Sequence, residues 1–320
     1  MPLHDFAPME GITGWQFRRI HRRYFGGVDR YFSPFLSPNQ HHVFSRKELW
    51  DVLPEHNEGV PLVPQILTKR AEDFLWCAGE LAAMGYREVN LNCGCPSGTV
   101  VARGKGAGML LDLRALENFL DEVFSHATVA VSVKTRLGLT DPEEFEAIWG
   151  LCCRYPLREL IVHPRLREDY YLGGVRMECF DRLLRETSPF PLGYNGDLAT
   201  AEQCRQFAAE RPGVASLMIG RGLLADPALV QKIKGGAGAD RETLRAYHDE
   251  LYETYCRAFQ SKKNAIRPMK ELWTYLIRLF APDERLWREL RKAKEPAEFQ
   301  TAAGRIFREL ELLLDARTAS

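Results

Sequence analysis

Residues 129–136 read Val-Ala-Val-Ser-Val-Lys-Thr-Arg, a run of small and β-branched residues that ends in two cations, Lys134 and Arg136. Such residues suit a pleated strand, and eight residues is a strand's length rather than a helix's. Seven other short apolar runs stop in the same way at a polar or glycine-rich turn: 4–9 (HDFAPM), 30–35 (RYFSPF), 61–66 (PLVPQI), 88–93 (EVNLNC), 159–164 (ELIVHP), 191–196 (PLGYNG) and 216–221 (SLMIGR). Stretches with helical spacing separate them, at 71–85, 115–127, 142–155 and 200–211 among others. Only the short segment 45–52 is available as the helix of the second unit, so the loop 37–44 reads as a functional excursion. Eight β-then-α units with near-continuous apolar strands predict a parallel sheet buried on both faces and closed as a (β/α)8 TIM barrel, of the α/β class. An open doubly wound sheet is the alternative. The count of eight disfavours it, as does the lack of a G-x-G-x-x-G turn after the first run.

After Asp226-Pro227 the pattern changes and passes through a glycine-rich stretch, KGGAGAD at 234–240. Amphipathic segments at 241–260, 266–280, 283–292 and 296–315 predict a small C-terminal all-helical bundle, giving a barrel domain over 1–235 and a helical domain over 241–320. Lys plus Arg and Asp plus Glu number 43 each, so an anionic partner requires a local basic patch. From Arg257 to Arg278 six basic residues stand against one acid, Glu271, and that is such a patch. With 45% hydrophobic and 27% charged residues, the composition excludes both a disordered chain and a fibrous repeat. The eight cysteines lack paired C-x-x-C spacing and no secretory leader precedes them, so they read as reduced thiols without a structural metal. No window approaches the roughly 18 to 20 apolar residues of a membrane helix. The cytoplasm is the expected compartment.

In a (β/α)8 barrel the carboxyl ends of the strands build the active site. Here they present Pro8 and Met9, Gln65, Asn92 with Cys95, Lys134 with Arg136, His163 with Arg165, Asn195 with Asp197, and Gly220 with Arg221. The last two ends, YNGD and MIGRG, offer glycines and backbone amides of the kind that hold a phosphate. Lys134 requires an anion or an electron-rich ring, and the N1–C2 edge of a flavin is one. Gln65 and His163 then suit the ring's edge, and Pro8-Met9 its underside. Taken singly, each of these is equally a satisfied polar group at a strand end. Residues 92–108 (NCGCPSGTVVARGKGAG) hold five glycines, too many for packing alone, and form a shaped loop in which Cys95 reads as a proton donor or nucleophile.

Together, A7-P-M-E-G-I-T13, N92-C-G-C-P96, K134-T-R136, H163-P-R165, N195-G-D197 and I219-G-R-G222 resemble the tRNA-dihydrouridine synthases, in order along the whole barrel. R267-P-M-K-E-L-W273 resembles that family's RNA-binding helical domain. The resemblance implies an FMN enzyme that takes a hydride from NADPH and reduces the C5=C6 bond of a uridine in tRNA, with Cys95 protonating C5. It assigns the cofactor to Pro8, Met9, Glu10, Gln65, Lys134, His163, Asn195, Gly196, Asp197, Gly220 and Arg221. Asn92, Arg136 and Tyr171 fall near the substrate base, and Arg267, Lys270 and Trp273 where RNA is met. Pro164, Leu166 and Tyr194 depart from the family's usual residues. The oligomeric state is open. The rival readings are a flavin barrel that reduces a free pyrimidine or enone, and a barrel that binds RNA without catalysis.

Overall fold

The computed structural model describes residues 1–317. All eight predicted runs are strands: β1 (Leu3–Phe6), β2 (Arg30–Phe32), β3 (Leu62–Val63) with β4 (Gln65–Ile66), β5 (Glu88–Cys93), β6 (Ala130–Gly138), β7 (Leu160–Leu166), β8 (Leu192–Asn195) and β9 (Ser216–Ile219). The third run is split because Pro64 lacks the N–H that a continuous ladder needs. Neighbours follow the order β3-β2-β1-β9-β8-β7-β6-β5-β4. Registers are parallel, as in Asp5 opposite Arg30, Tyr31 opposite Leu62, Gln65 opposite Asn90 and Asn92 opposite Lys134. Since β3 and β4 are two halves of one run, the ends of the sheet meet and eight strands close into a barrel.

Side chains alternate across a strand, so every second residue enters the barrel. Ala7, Phe32, Val63, Ile161 and Met218 form one buried apolar cluster at mid-height. Toward the amino ends of the strands lies a charged layer. Arg30 Nη2 is 2.6 Å from both Asp5 and Glu159, while Ser132 donates to Glu88 at 2.7 Å and Ser216 donates to Glu159. Gly193 makes room for this layer, since a Cβ there would come within 2.5 Å of Ser216 Oγ and 2.8 Å of Glu159 Oε1. Burial pushes the Asp5 carboxyl up to about 7 against the pull of Arg30, and Glu159 adds to the rise. The opposite parity points outward: Tyr194 stacks edge-on against Phe180, 5.1 Å between centroids, and Pro164 and Leu166 share its side of the sheet. The bulk of Tyr194 therefore stays out of the barrel's interior.

Around the strands run α1 (Trp15–Phe25), α2 (Arg46–Val52), α3 (Ala71–Ala83), α4 (Gly98–Val101), α5 (Leu113–His126), α6 (Glu144–Cys152), α7 (Met177–Arg185), α8 (Ala201–Glu210), α9 (Arg221–Ala225) and α10 (Leu229–Ile233). The short α2 is a helix because Ser45 and Glu48 form a reciprocal capping box at its start. Beyond residue 240 come α11 (Arg241–Phe259), α12 (Lys262–Leu276), α13 (Glu284–Lys292) and α14 (Pro296–Glu309); α11 and α13 match prediction to one residue, α12 lies four residues earlier at both ends, and α14 ends six residues earlier.

The chain divides into two compact units, and the division does not follow the glycine-rich stretch. One comprises 1–8, 29–196 and 208–218; the other comprises 9–28, 197–207 and 219–320. Helix α1 belongs to the second because its aromatic face packs on α11: Tyr247 meets Phe17, Phe25 and Tyr24 at 4.9 to 6.4 Å between centroids. Among the described residues no helix is long and apolar enough to cross a membrane.

Asp5 binds its proton more tightly in the folded chain than its ordinary value of 3.8 would allow, so its contribution to stability is full below that value and is lost as pH rises through about 7. Asp5→Asn removes this linkage. The difference in urea midpoint between variant and parent should move in the variant's favour from pH 5 to pH 8, and a difference that is flat with pH would refute the assignment.

Candidate active site

At the carboxyl ends of β4 and β5 three amide side chains form a ladder across the seam where the barrel closes. Gln65 Nε2 donates to Asn90 Oδ1 at 2.8 Å, and Asn92 Nδ2 donates to Gln65 Oε1 at 2.7 Å. Asn90 continues the chain to Ser132 Oγ at 3.0 Å. Asn92 Oδ1 then accepts the backbone N–H groups of Gly94 and Cys95, at 3.1 and 2.9 Å, and this turn carries Cys95 off the strand. Gly106, at φ +58°, closes over it: a Cβ there would lie 2.9 Å from both the Cβ and the carbonyl oxygen of Cys95. The Cys95 side chain is half-buried, whereas Cys93 is fully buried and its thiol is pushed up by burial, as expected for a structural cysteine.

Lys134 and Arg136 both act electrostatically on Cys95. The Lys134 ammonium has no hydrogen bond or ion pair among the described residues; burial, with Arg136 beside it, lowers it to about 7, and Cys95 alone pulls the other way. An uncompensated ammonium at the inner end of a strand is costly unless a ligand supplies its acceptor. Arg136 is differently placed from its expected role near the substrate base. Its guanidinium is 1% exposed and donates to three backbone carbonyls, Gly94 at 2.9 Å, Leu166 at 2.7 Å and Tyr170 at 2.6 Å, which ties the cysteine turn to the loop after β7. Arg165 ties the same loop through the Gly173 carbonyl at 2.6 Å and lies 3.1 Å from His163 Nε2, so that nitrogen is the acceptor. Tyr171 is exposed on this loop with the Arg136 guanidinium 5.4 Å from its ring centre.

Asn195 Nδ2 donates to the Met218 carbonyl at 2.7 Å, and a Cβ on Gly196 would collide with the Tyr194 hydroxyl. In the second unit Met9 is fixed by a backbone bond to Thr13 Oγ1 at 2.8 Å, and Glu10 is exposed. Arg221 and Asp197 form an ion pair with each other, at 2.5 Å, in front of Gly220. Of the predicted cofactor residues, Pro8, Gln65, Lys134, His163, Asn195 and Gly196 belong to the first unit, and Met9, Glu10, Asp197, Gly220 and Arg221 to the second.

The three RNA residues expected on α12 separate sharply. Arg267 is 88% exposed and makes only a 3.4 Å contact with Glu271 one turn away. Lys270 instead caps α13, donating to the carbonyls of Arg291 and Ala293. Trp273 is a core side chain, 0% exposed, with its indole N–H on His248 Nε2 at 3.0 Å and its ring against Phe280 and Phe307; it offers no face to a base. Helical spacing puts Trp273 on the apolar face of α12 with the buried Ile266, Met269 and Leu276, about 120° around the axis from Arg267, and that was the available signal. Asn90 and the clamping role of Arg165 were missed, although the alternation of β5 and β7 puts both inside the barrel.

A family model for dihydrouridine synthase matches residues 5–311. The chain belongs to the dihydrouridine synthase family. It is accordingly a flavin-dependent oxidoreductase that uses FMN, with a nicotinamide nucleotide as reductant. It is 28% identical over 277 residues to a probable tRNA-dihydrouridine synthase 2 of Bacillus subtilis (strain 168), covering 85% of this chain and 82% of that one. It is also 28% identical to the tRNA-dihydrouridine(16) synthase of Cupriavidus necator, covering 92% and 94% of the two chains. Among solved structures, a morphinone reductase variant superposes with a TM-score of 0.52 at 13% identity over 75% of this chain and 89% of its own, a likeness of fold. The unpartnered Lys134 ammonium fits such a cofactor, since an anionic or electron-rich ring edge is the acceptor that the protein itself does not provide. Among the described residues no cluster of His, Cys, Asp or Glu could hold a metal.

Arg136→Lys cannot reach three diverging carbonyls, and losing two of these charged hydrogen bonds should cost about 2 kcal/mol or more. Hydrogen exchange should quicken at the amides of 167–174 while the β5 amides stay protected. Unchanged protection in that loop would show that the clamp is not what orders it.

Proposed function

We propose that this protein is a tRNA-dihydrouridine synthase that reduces the C5=C6 bond of uridines in tRNA to 5,6-dihydrouridine in the cytoplasm, with NADPH as the reductant. The observation that carries the reading is the Cys95 thiol, lifted from β5 by the Asn92 turn and under the field of Lys134 and Arg136. Saturating a carbon–carbon double bond requires a hydride at one carbon and a proton at the other. The hydride would be supplied by FMN when it is bound and reduced. Cys95 supplies the proton to C5 from its S–H, and the two neighbouring cations favour the thiolate that this leaves.

The remaining residues hold and orient. Lys134 would give the cofactor ring its cationic partner, and His163, whose Nε2 accepts from Arg165, would lie beside it. Asn195, Gly196, Asp197 and Gly220 offer backbone amides to the phosphate, and Arg221, oriented by its ion pair with Asp197, offers the positive charge. Tyr171, exposed and backed by Arg136, offers a face to the uracil. A paired uridine must leave its stack to react, at a cost of a few kcal/mol, which phosphate contacts from exposed cations such as Arg267 offset.

Cys95→Ala should retain FMN and NADPH oxidation but lower dihydrouridine formation by roughly a hundredfold or more, read by mass spectrometry of the nucleosides from a tRNA transcript; full activity would remove Cys95 from the mechanism. A second outcome follows from Lys134. The free ammonium is lost above about pH 7, so FMN affinity of the apoprotein should hold up to that pH and then weaken by up to about tenfold per unit. Lys134→Met should bind more weakly with this part of the profile flattened, as followed by quenching of flavin fluorescence.

A further inference from the structure

The glycine-rich turn that closes over Cys95 also gathers charge. Gly104 has φ +67°, and a Cβ on it would lie 3.3 Å from both Cδ and Nζ of Lys69, so the Lys69 ammonium rests directly on the turn between Arg103 and Lys105. Lys105 Nζ donates to Ser37 Oγ at 3.0 Å, which joins the turn to the loop 37–44. Among the described residues none of these three cations has an ion pair. The acids nearby are committed elsewhere: Asp73 to His42 at 3.2 Å, to Thr68 and to Arg70, and Glu48 to the backbone of Ser37 and Ser45. Burial lowers Lys105, opposed by Asp73 and Glu48 and helped by Arg103 and Lys69.

Three like charges held together on one rim are unfavourable until an anion neutralises them. Two of the three, Lys69 and Arg103, are exposed at the lip of the turn rather than enclosed, so they suit a chain of phosphates crossing a surface more than a single phosphate in a pocket. Their distance from the chemistry is fixed by covalent geometry: Gly106 follows Lys105 and packs on Cys95, whose carbonyl accepts the N–H of Ala107 at 3.1 Å.

We propose that Lys69, Arg103 and Lys105 form a binding site for the ribose-phosphate backbone of the polynucleotide substrate, at the phosphates flanking the nucleotide presented to Cys95. This rests on the functional reading above and adds to it a contact surface in the barrel, separate from the basic patch on α12. The site also accounts for the lysine and arginine that precede Gly106, the glycine of the turn that packs on Cys95.

The test is the salt dependence of tRNA binding by the FMN-loaded protein. The double variant Lys69→Gln/Arg103→Gln removes two exposed cations that make no hydrogen bond or ion pair among the described residues. It should weaken binding roughly tenfold or more near 0.1 M salt and lower the slope of log affinity against log salt by about 1.5. Flavin content and NADPH oxidation with a small dye acceptor should be unchanged. Lys105→Gln should give a smaller loss in the same direction. An unchanged slope overturns the proposal, as does a raised KM for NADPH with intact tRNA affinity, which would assign the cluster to a dinucleotide phosphate. If the parent protein itself fails to bind tRNA, the functional reading falls too; parental binding with unaltered variants removes only this site.

Discussion

The amide ladder Asn90–Gln65–Asn92 is the interaction on which the rest of the site depends. It crosses the seam between β4 and β5, where a strand broken by Pro64 must still complete a closed barrel. These side-chain bonds run beside the regular backbone pairing of β4 with β5, in which Gln65 stands opposite Asn90 and the Pro64 carbonyl accepts the Asn90 N–H. The last oxygen of the ladder accepts two amides from the turn that carries Cys95, so closure of the fold and placement of the thiol are one piece of bonding. A buried network of this kind is stabilising only when every member is satisfied. That explains why Gln65, which the sequence suggested for a cofactor edge, is already engaged through both ends of its amide.

Two charged layers lie inside the barrel with an apolar cluster between them, and burial acts on them with opposite sign. It raises the Asp5 acid and lowers the Lys134 base, both to about 7, because in each case the charged form is the one that loses solvent. The lower layer is compensated internally, since Arg30 reaches Asp5 and Glu159 at once. The upper layer is not: among the described residues Lys134 has no acceptor, while Arg136 has three. An imbalance confined to the end of the barrel where the loops converge is what separates a ligand site from a structural ion cluster.

The loops follow the same logic. Buried arginines bind carbonyls of the segment after β7, leaving Tyr171 exposed on a fixed base, and glycines at 94 and 106 let the cysteine turn pack without a side chain in the way. Rigid supports under a few exposed groups are how a (β/α)8 scaffold carries chemistry on loops.

Much was legible from the residues alone. Short apolar runs that stop at polar or glycine-rich turns, 129–136 and 88–93 among them, identified the strands; the motif residues at the strand ends then carried the family. Helical spacing found α11 to α14 for the same reason, because local periodicity is a property of the chain itself. Tertiary structure decided what each polar group does once inside. Arg136 became a clamp and Lys270 a helix cap, since hydrogen bonds to backbone carbonyls of distant segments leave no trace in spacing or composition, whereas the core place of Trp273 was open to its helical spacing. The boundary of the compact units was equally hidden, because it depends on α1 packing its aromatic face on α11 more than two hundred residues away, and not on the glycines that punctuate the chain.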